Sequence, residues 1–177
     1  MSLIANNNLV SIFGNKDIYL DNDFLCRLQK DQDLTRDFCK LLTHSESLKI
    51  DSLIEFEFLR DIYNPKQLQL IKEFLSKSFF SFLNDDSSIF KKVKDNAIIL
   101  SKIYKIKNCL PKDKKVKNSG PGISDFFLAA RIMTNYYNSL LITGNKKHFP
   151  SYLFDVDYVI NTENPENGKI NHFFVIS

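Results

Sequence analysis

Asp125 precedes an apolar run, Ser124-Asp125-Phe126-Phe127-Leu128-Ala129-Ala130. The Gly120-Pro121-Gly122 turn ahead of it, with Ser124 as N-cap, predicts a helix start here. At about 100° per residue, Ala129, Ile132, Met133 and Tyr136 share the Asp125 face, while Arg131, Thr134 and Asn135 lie opposite. A carboxylate at the start of a buried face is costly unless something compensates its charge. A metal ion or a helix N-terminus can do so. Other candidates follow short apolar strands: Asp21 and Asp23 after Ile18-Tyr19-Leu20, Asp51 after Leu48-Lys49-Ile50, and Thr143 and Asn145 after Leu140-Leu141-Ile142. Oxygen donors of this kind suit Mg²⁺ or Mn²⁺. Beside basic residues they suggest phosphate-ester chemistry, with one metal activating water and a second, roughly 3.5–4 Å away, stabilising the leaving oxygen.

Each residue also has a plainer role. Asp21 or Asp23 can cap the helix beginning near Phe24, and for Asp23 capping is the favoured role. Asp125 can complement a helix dipole. Glu57, between Phe56 and Phe58, can pair with Arg60, and helical phase does not exclude Glu55 as the acid instead. Lys112 to Lys117 reads as a solvated charged loop.

These residues need a frame. Strands are expected at 17–21, 48–50, 79–83, 140–142 and 158–160, with an edge strand at 173–176. Helices are expected from Phe24, over 34–44, from Asp51 or Ser52 to Tyr63, over 66–76, from Asp86 or Ser87 to about Ile106, and from Ser124. Cys109 to Gly122 reads as a basic loop. Short apolar strands alternating with helices indicate an α/β fold with a mostly parallel sheet. In such a sheet, ligands bind beyond the carboxyl ends of the strands. The organisation expected is an extension over 1–16, one domain over 17–160, and a tail or edge strand over 161–177.

Composition sets outer bounds. The chain has 177 residues, 44% of them hydrophobic, so it can bury a full core. A net charge of +3 is too small to argue for nucleic acid by itself. Cys26, Cys39 and Cys109 are scattered and form no zinc or disulfide pattern, which fits a cytoplasmic location. No apolar run is long enough to span a membrane, and the N-terminus lacks the basic start of a signal peptide.

The order of the acids resembles the PIN-domain family, small Mg²⁺-dependent nucleases that include VapC-type toxins. Ile18-Tyr19-Leu20-Asp21-Asn22-Asp23-Phe24-Leu25 is similar to the family's opening strand and first acid. Ser52-Leu53-Ile54-Glu55-Phe56-Glu57-Phe58-Leu59 is similar to the helix bearing the second, with Glu57 as the match. Ser124-Asp125-Phe126-Phe127-Leu128-Ala129-Ala130 is similar to the third. Leu141-Ile142-Thr143-Gly144-Asn145-Lys146-Lys147-His148-Phe149-Pro150 is similar to the fourth, with His148 where Asp is usual. The likeness runs from Ile18 to Ile160, and residues 65–118 match no motif.

The resemblance implies a three-layer α/β/α domain and a Mg²⁺- or Mn²⁺-dependent endoribonuclease. Asp21, Glu57 and Asp125 would hold metal, and Thr143 and Asn145 would orient a ligand or water. Lys146 and Lys147 would contact the RNA backbone. His148 would ligate Mn²⁺ or touch phosphate, although a surface position ahead of Phe149 is the plainer expectation. A toxin of this type implies an antitoxin partner, and family members often form homodimers. The Leu68/Ile71/Phe74/Leu75 face could serve a partner but reads first as core. Two alternatives stand: a PIN-like protein or RNA interaction module with weakened catalysis, motivated by His148, and a haloacid-dehalogenase-like phosphatase. The second rests on the resemblance of Asp21-Asn22-Asp23 to a DxD nucleophile motif, and it leaves Asp125 without a role.

Overall fold

Ile18, Tyr19 and Leu20 are all buried, so the strand Asp17–Leu20 (β1) has protein on both of its faces. The same holds for Ser139–Thr143 (β4), in which every residue is buried. The two strands run parallel, with Ile18 beside Leu140 and Leu20 beside Ile142. Leu48–Ile50 (β2) flanks β1 on its other side, and Phe80–Phe82 (β3) flanks β2, both parallel. The computed structural model describes residues 11–42, 48–108, 121–135, 137–163 and 167–177. The C-terminal end of the 34–44 helix, Tyr136, residues 109–120 with Lys112 to Lys117, and part of the turn-rich tail lie outside the described residues.

The sheet has six strands in the order β3-β2-β1-β4-β6-β5. Val156–Glu163 (β5) and Ile170–Ile176 (β6) form an antiparallel hairpin, and β6 pairs antiparallel with β4. The protein is therefore a mixed α/β fold with a mostly parallel sheet. The edge position expected for 173–176 is corrected: β6 is interior and β5 is the edge. An apolar run such as Phe173-Phe174-Val175-Ile176 fits a strand flanked on both sides, whereas β5 alternates exposed and buried residues.

The helices are Asn22–Lys30 (α1), Gln32–Leu41 (α2), Ser52–Leu59 (α3), Pro65–Leu75 (α4), Ser87–Asn108 (α5) and Ile123–Thr134 (α6). Asp31 ends α1 and starts α2, its carboxylate accepting the Leu34 N–H at 2.9 Å. Asn64 caps α4, and Pro65 occupies the first turn, where its missing N–H costs nothing. On α4, Ile71, Phe74 and Leu75 are buried and Leu68 is half-buried, so that face is core. Phe24 meets Phe38 and Phe173 edge-on at 5.2 and 4.8 Å, joining α1, α2 and β6. Tyr104 meets Phe126 at 5.3 Å and Phe90 meets Phe127 at 6.2 Å, joining α5 to α6. Among the described residues no helix is long and apolar enough to cross a membrane.

Helix α6 departs from the expected two-sided pattern. Leu128 to Ile132 are all buried, Arg131 included, while Met133 is exposed. Arg131 reaches Asp51 through Nε at 2.9 Å and Nη2 at 2.8 Å, and Asp85 through Nη1 at 2.5 Å. Asp51 also caps α3 by accepting the Leu53 N–H. Its carboxylate is thus committed to structure and leaves the set of candidate ligands.

Candidate functional site

From β1 the chain steps outward to β2 and β3, then returns to place β4 on the other side of β1. The crevice beyond the ends of β1 and β4 is therefore the point where strand order reverses, the preferred ligand position in an open α/β sheet. Asp21 stands there. Its N–H continues the sheet to the Ile142 carbonyl at 3.0 Å. Thr143 Oγ1 donates to Asp21 Oδ2 at 2.6 Å, and the Asn22 N–H donates to Oδ1 at 2.7 Å. The Asn145 N–H donates in turn to Thr143 Oγ1 at 2.9 Å, which fixes the hydroxyl's direction. Asp21 is also the N-cap residue of α1.

Asp23 is not that cap. Its Oδ2 accepts the Gly144 N–H at 2.8 Å, across the crevice. A Cβ on Gly144 would lie 2.5 Å from that oxygen, so only glycine permits this approach. Capping, favoured for Asp23 from sequence, falls to Asp21, and Asp23 joins the crevice instead. The available sequence signal was Gly144 directly after Thr143: a glycine at a strand end leaves room for a neighbouring group.

Asp125 lies in the first turn of α6, whose N-cap is Gly122 rather than Ser124. The Gly122 N–H donates to Asp125 Oδ2 at 2.6 Å, so the carboxylate caps its own helix. Ser124 points elsewhere and donates to Glu57 Oε1 at 2.6 Å. Glu57 therefore borders the start of α6, and Arg60 pairs with Asp61 rather than with Glu57. Glu55 is half-buried in the first turn of α3.

His148 is not a surface residue; it is 9% exposed. It closes the 3₁₀ turn Lys146–His148, its Nδ1 is 2.9 Å from Asp125 Oδ2, and its carbonyl accepts from the Tyr104 hydroxyl. Asn145 Nδ2 is also placed 2.7 Å from Nδ1. One ring nitrogen cannot accept from Asn145 and donate to Asp125 together. The carboxylate favours a proton on Nδ1, which requires Asn145 to present its amide oxygen. Lys146 and Lys147 are exposed beside this turn, with Lys146 Nζ 5.4 Å from the Phe174 ring centroid.

The electrostatics tie Asp21, Asp23 and Asp125 together. Burial pushes the Asp21 carboxyl up to about 7, the Asp23 and Asp125 charges add to this, and the Thr143 and Asn22 hydrogen bonds oppose it. Asp23 sits at the rim with part of its surface open, yet the protein packed around its carboxyl raises its pKa too. The Gly144 and Phe24 amides oppose that shift and the Asp125 charge reinforces it. Among the described residues no three of His, Cys, Asp and Glu stand close enough to form a finished metal cage. The donor set still suits a hard cation. Its members are carboxylates that repel one another, and Mg²⁺ needs only one or two such ligands beside its waters.

No family model, no curated protein and no solved structure matches this chain.

Proposed function

We propose that the chain is a PIN-like, Mg²⁺- or Mn²⁺-dependent endoribonuclease. The observation that supports this reading is that Asp21, at the β1/β4 switch point, lies near enough to Asp23 and Asp125 to interact with both charges, which together with burial push its carboxyl up. A group in that condition is satisfied by a proton or by a cation, and exchanging one for the other releases the proton. Asp21 and Asp125 are the central ligands proposed. Asp23 is the additional acid, and Glu57 acts from the α6 side through its bond to Ser124. A cation bound there would supply Lewis acidity to a phosphodiester oxygen. The chain's own residues do the positioning. Thr143 aims Asp21, Asn145 aims Thr143 through its amide, and His148 holds Asp125. Lys146 and Lys147 meet the RNA backbone, where most nonspecific affinity arises. A small antitoxin protein as partner belongs to the same reading.

The test is cleavage of single-stranded RNA with Mn²⁺ or Mg²⁺. We expect Asp125→Asn and Asp21→Asn to reduce cleavage to background while thermal unfolding stays cooperative. An Asp125→Asn chain that cleaves at the wild-type rate would sink the proposal.

His148 in place of an acid favours a second reading: a PIN-like interaction module that binds RNA or protein without cleaving. RNA binding with no cleavage under any divalent metal would select it. The convergence of Asp21 and Asp23 on one crevice keeps the phosphatase alternative testable. Turnover of a small phosphoester that depends on Asp21 and not on Asp125 would establish it.

A further inference from the structure

A cavity of about 600 Å³ lies between α1 and the β5–β6 hairpin, sharing Asp23 and Gly144 with the carboxylate crevice. We propose that it binds one nucleotide of the substrate strand, with the phosphate at Arg27 and Lys30 and the base against Phe174. As to substrate class, this rests on the nuclease reading above.

Its volume falls within the range of small-ligand pockets, roughly 300–1,000 Å³. Arg27 lines it and is only 7% exposed. Its Nη2 donates to Asp31 Oδ2 at 2.7 Å and to the Glu163 carbonyl, which fixes the guanidinium between α1 and β5. Its Nε–H has no acceptor among the described residues. That Nε is closed to solvent, so a phosphate would meet the part of the guanidinium that lines the cavity, whose planar fork suits phosphate oxygens. Lys30, one turn on, lines the same cavity, is exposed, and makes no ion pair among the described residues. Asp31 offsets much of the Arg27 charge, so Lys30 supplies the excess positive charge. Asp23, two turns back on the same helix face, repels a phosphate and so biases it toward Lys30. Phe174 lines the cavity too, and its ring, with Lys146 Nζ 5.4 Å from the centroid, is the aromatic surface on which a base would stack. Because Asp23 belongs to both spaces, a strand with its reacting phosphate at Asp21 and Asp125 runs directly into this cavity.

Cys26 lies half-buried in the cavity wall and reports occupancy without any need for cleavage or metal. A chain carrying Cys39→Ser and Cys109→Ser keeps it as the sole thiol. Burial raises its pKa, so iodoacetamide labelling is followed at alkaline pH. Adenosine 5′-monophosphate at about four times its Kd is expected to slow labelling about fivefold, the ratio that simple occupancy gives. Lys30→Ala should remove that protection, and inorganic phosphate at equal concentration should protect much less. Absence of protection, protection unchanged by Lys30→Ala, or equal protection by phosphate would overturn the proposal. Protection in a chain that cleaves no RNA would leave the subsite standing and remove the nuclease. Metal-dependent cleavage without protection would do the reverse.

Discussion

Burial, reinforced by the Asp23 and Asp125 charges, pushes the Asp21 carboxyl up to about 7, against 3.8 for an ordinary aspartate. Between about pH 4 and 7 the folded chain therefore holds a proton that the unfolded chain has released. Its contribution to stability falls as pH rises through that window, the opposite of a salt-bridged carboxylate. Asp21→Asn removes the charge with little change of side-chain shape. Relative to wild type without divalent metal, this variant should gain at least about 3 °C in unfolding temperature at pH 8 and little at pH 4. An equal loss at both values would show that its hydrogen bonds outweigh its charge. Gly144→Ala tests the neighbouring contact, because its Cβ would meet Asp23 Oδ2 at 2.5 Å. We expect a loss of about 1–3 kcal/mol in urea unfolding and roughly 10-fold weaker Mn²⁺ binding, since Asp23 must leave the Gly144 amide. At this scale the sequence spoke unevenly. Asp21, Asp125 and Thr143 were legible because each stands where a strand or helix ends. Asp23 and His148 were not: the partner of Asp23 is an amide 121 residues away, and the burial of His148 depends on the 3₁₀ turn beneath it.

Helix α6 carries a buried charge pairing. Arg131 is 5% exposed and bridges Asp51, the cap of α3, to Asp85 beyond β3. Helical phase placed Arg131 opposite the Asp125 face, and that was geometrically right. Arg131 is nonetheless buried, because periodicity does not distinguish water from a buried counter-charge. Arg131→Met leaves two carboxylates without their partner and should cost about 3–5 kcal/mol in urea unfolding. Arg131→Lys should also destabilise, because an ammonium cannot reach Asp51 and Asp85 with the same fork. Wild-type stability in either variant would mean that the pairing holds nothing together. The C-terminal strand follows the same lesson. Phe173 to Ile176 announce a strand, but whether it lies at an edge or inside is decided by β5 on one side and β4 on the other.

Across the whole molecule, the mostly parallel α/β sheet was readable from short apolar strands alternating with helices. Its strand order was not, since order is set by crossovers between distant segments. Residues 65–108, which matched no motif, form α4, β3 and α5, and so supply one sheet edge and the helix that packs on α6. The order that results brings β1 and β4 together, and with them the acids 104 positions apart that the proposed function needs. Calorimetric titration of the wild-type chain with Mn²⁺, repeated with Asp125→Asn, tests that function most directly. Saturable binding that strengthens as pH rises through about 7, and is lost in Asp125→Asn, is the expected result. No binding by the wild-type chain at millimolar Mn²⁺ would contradict a metal-dependent nuclease.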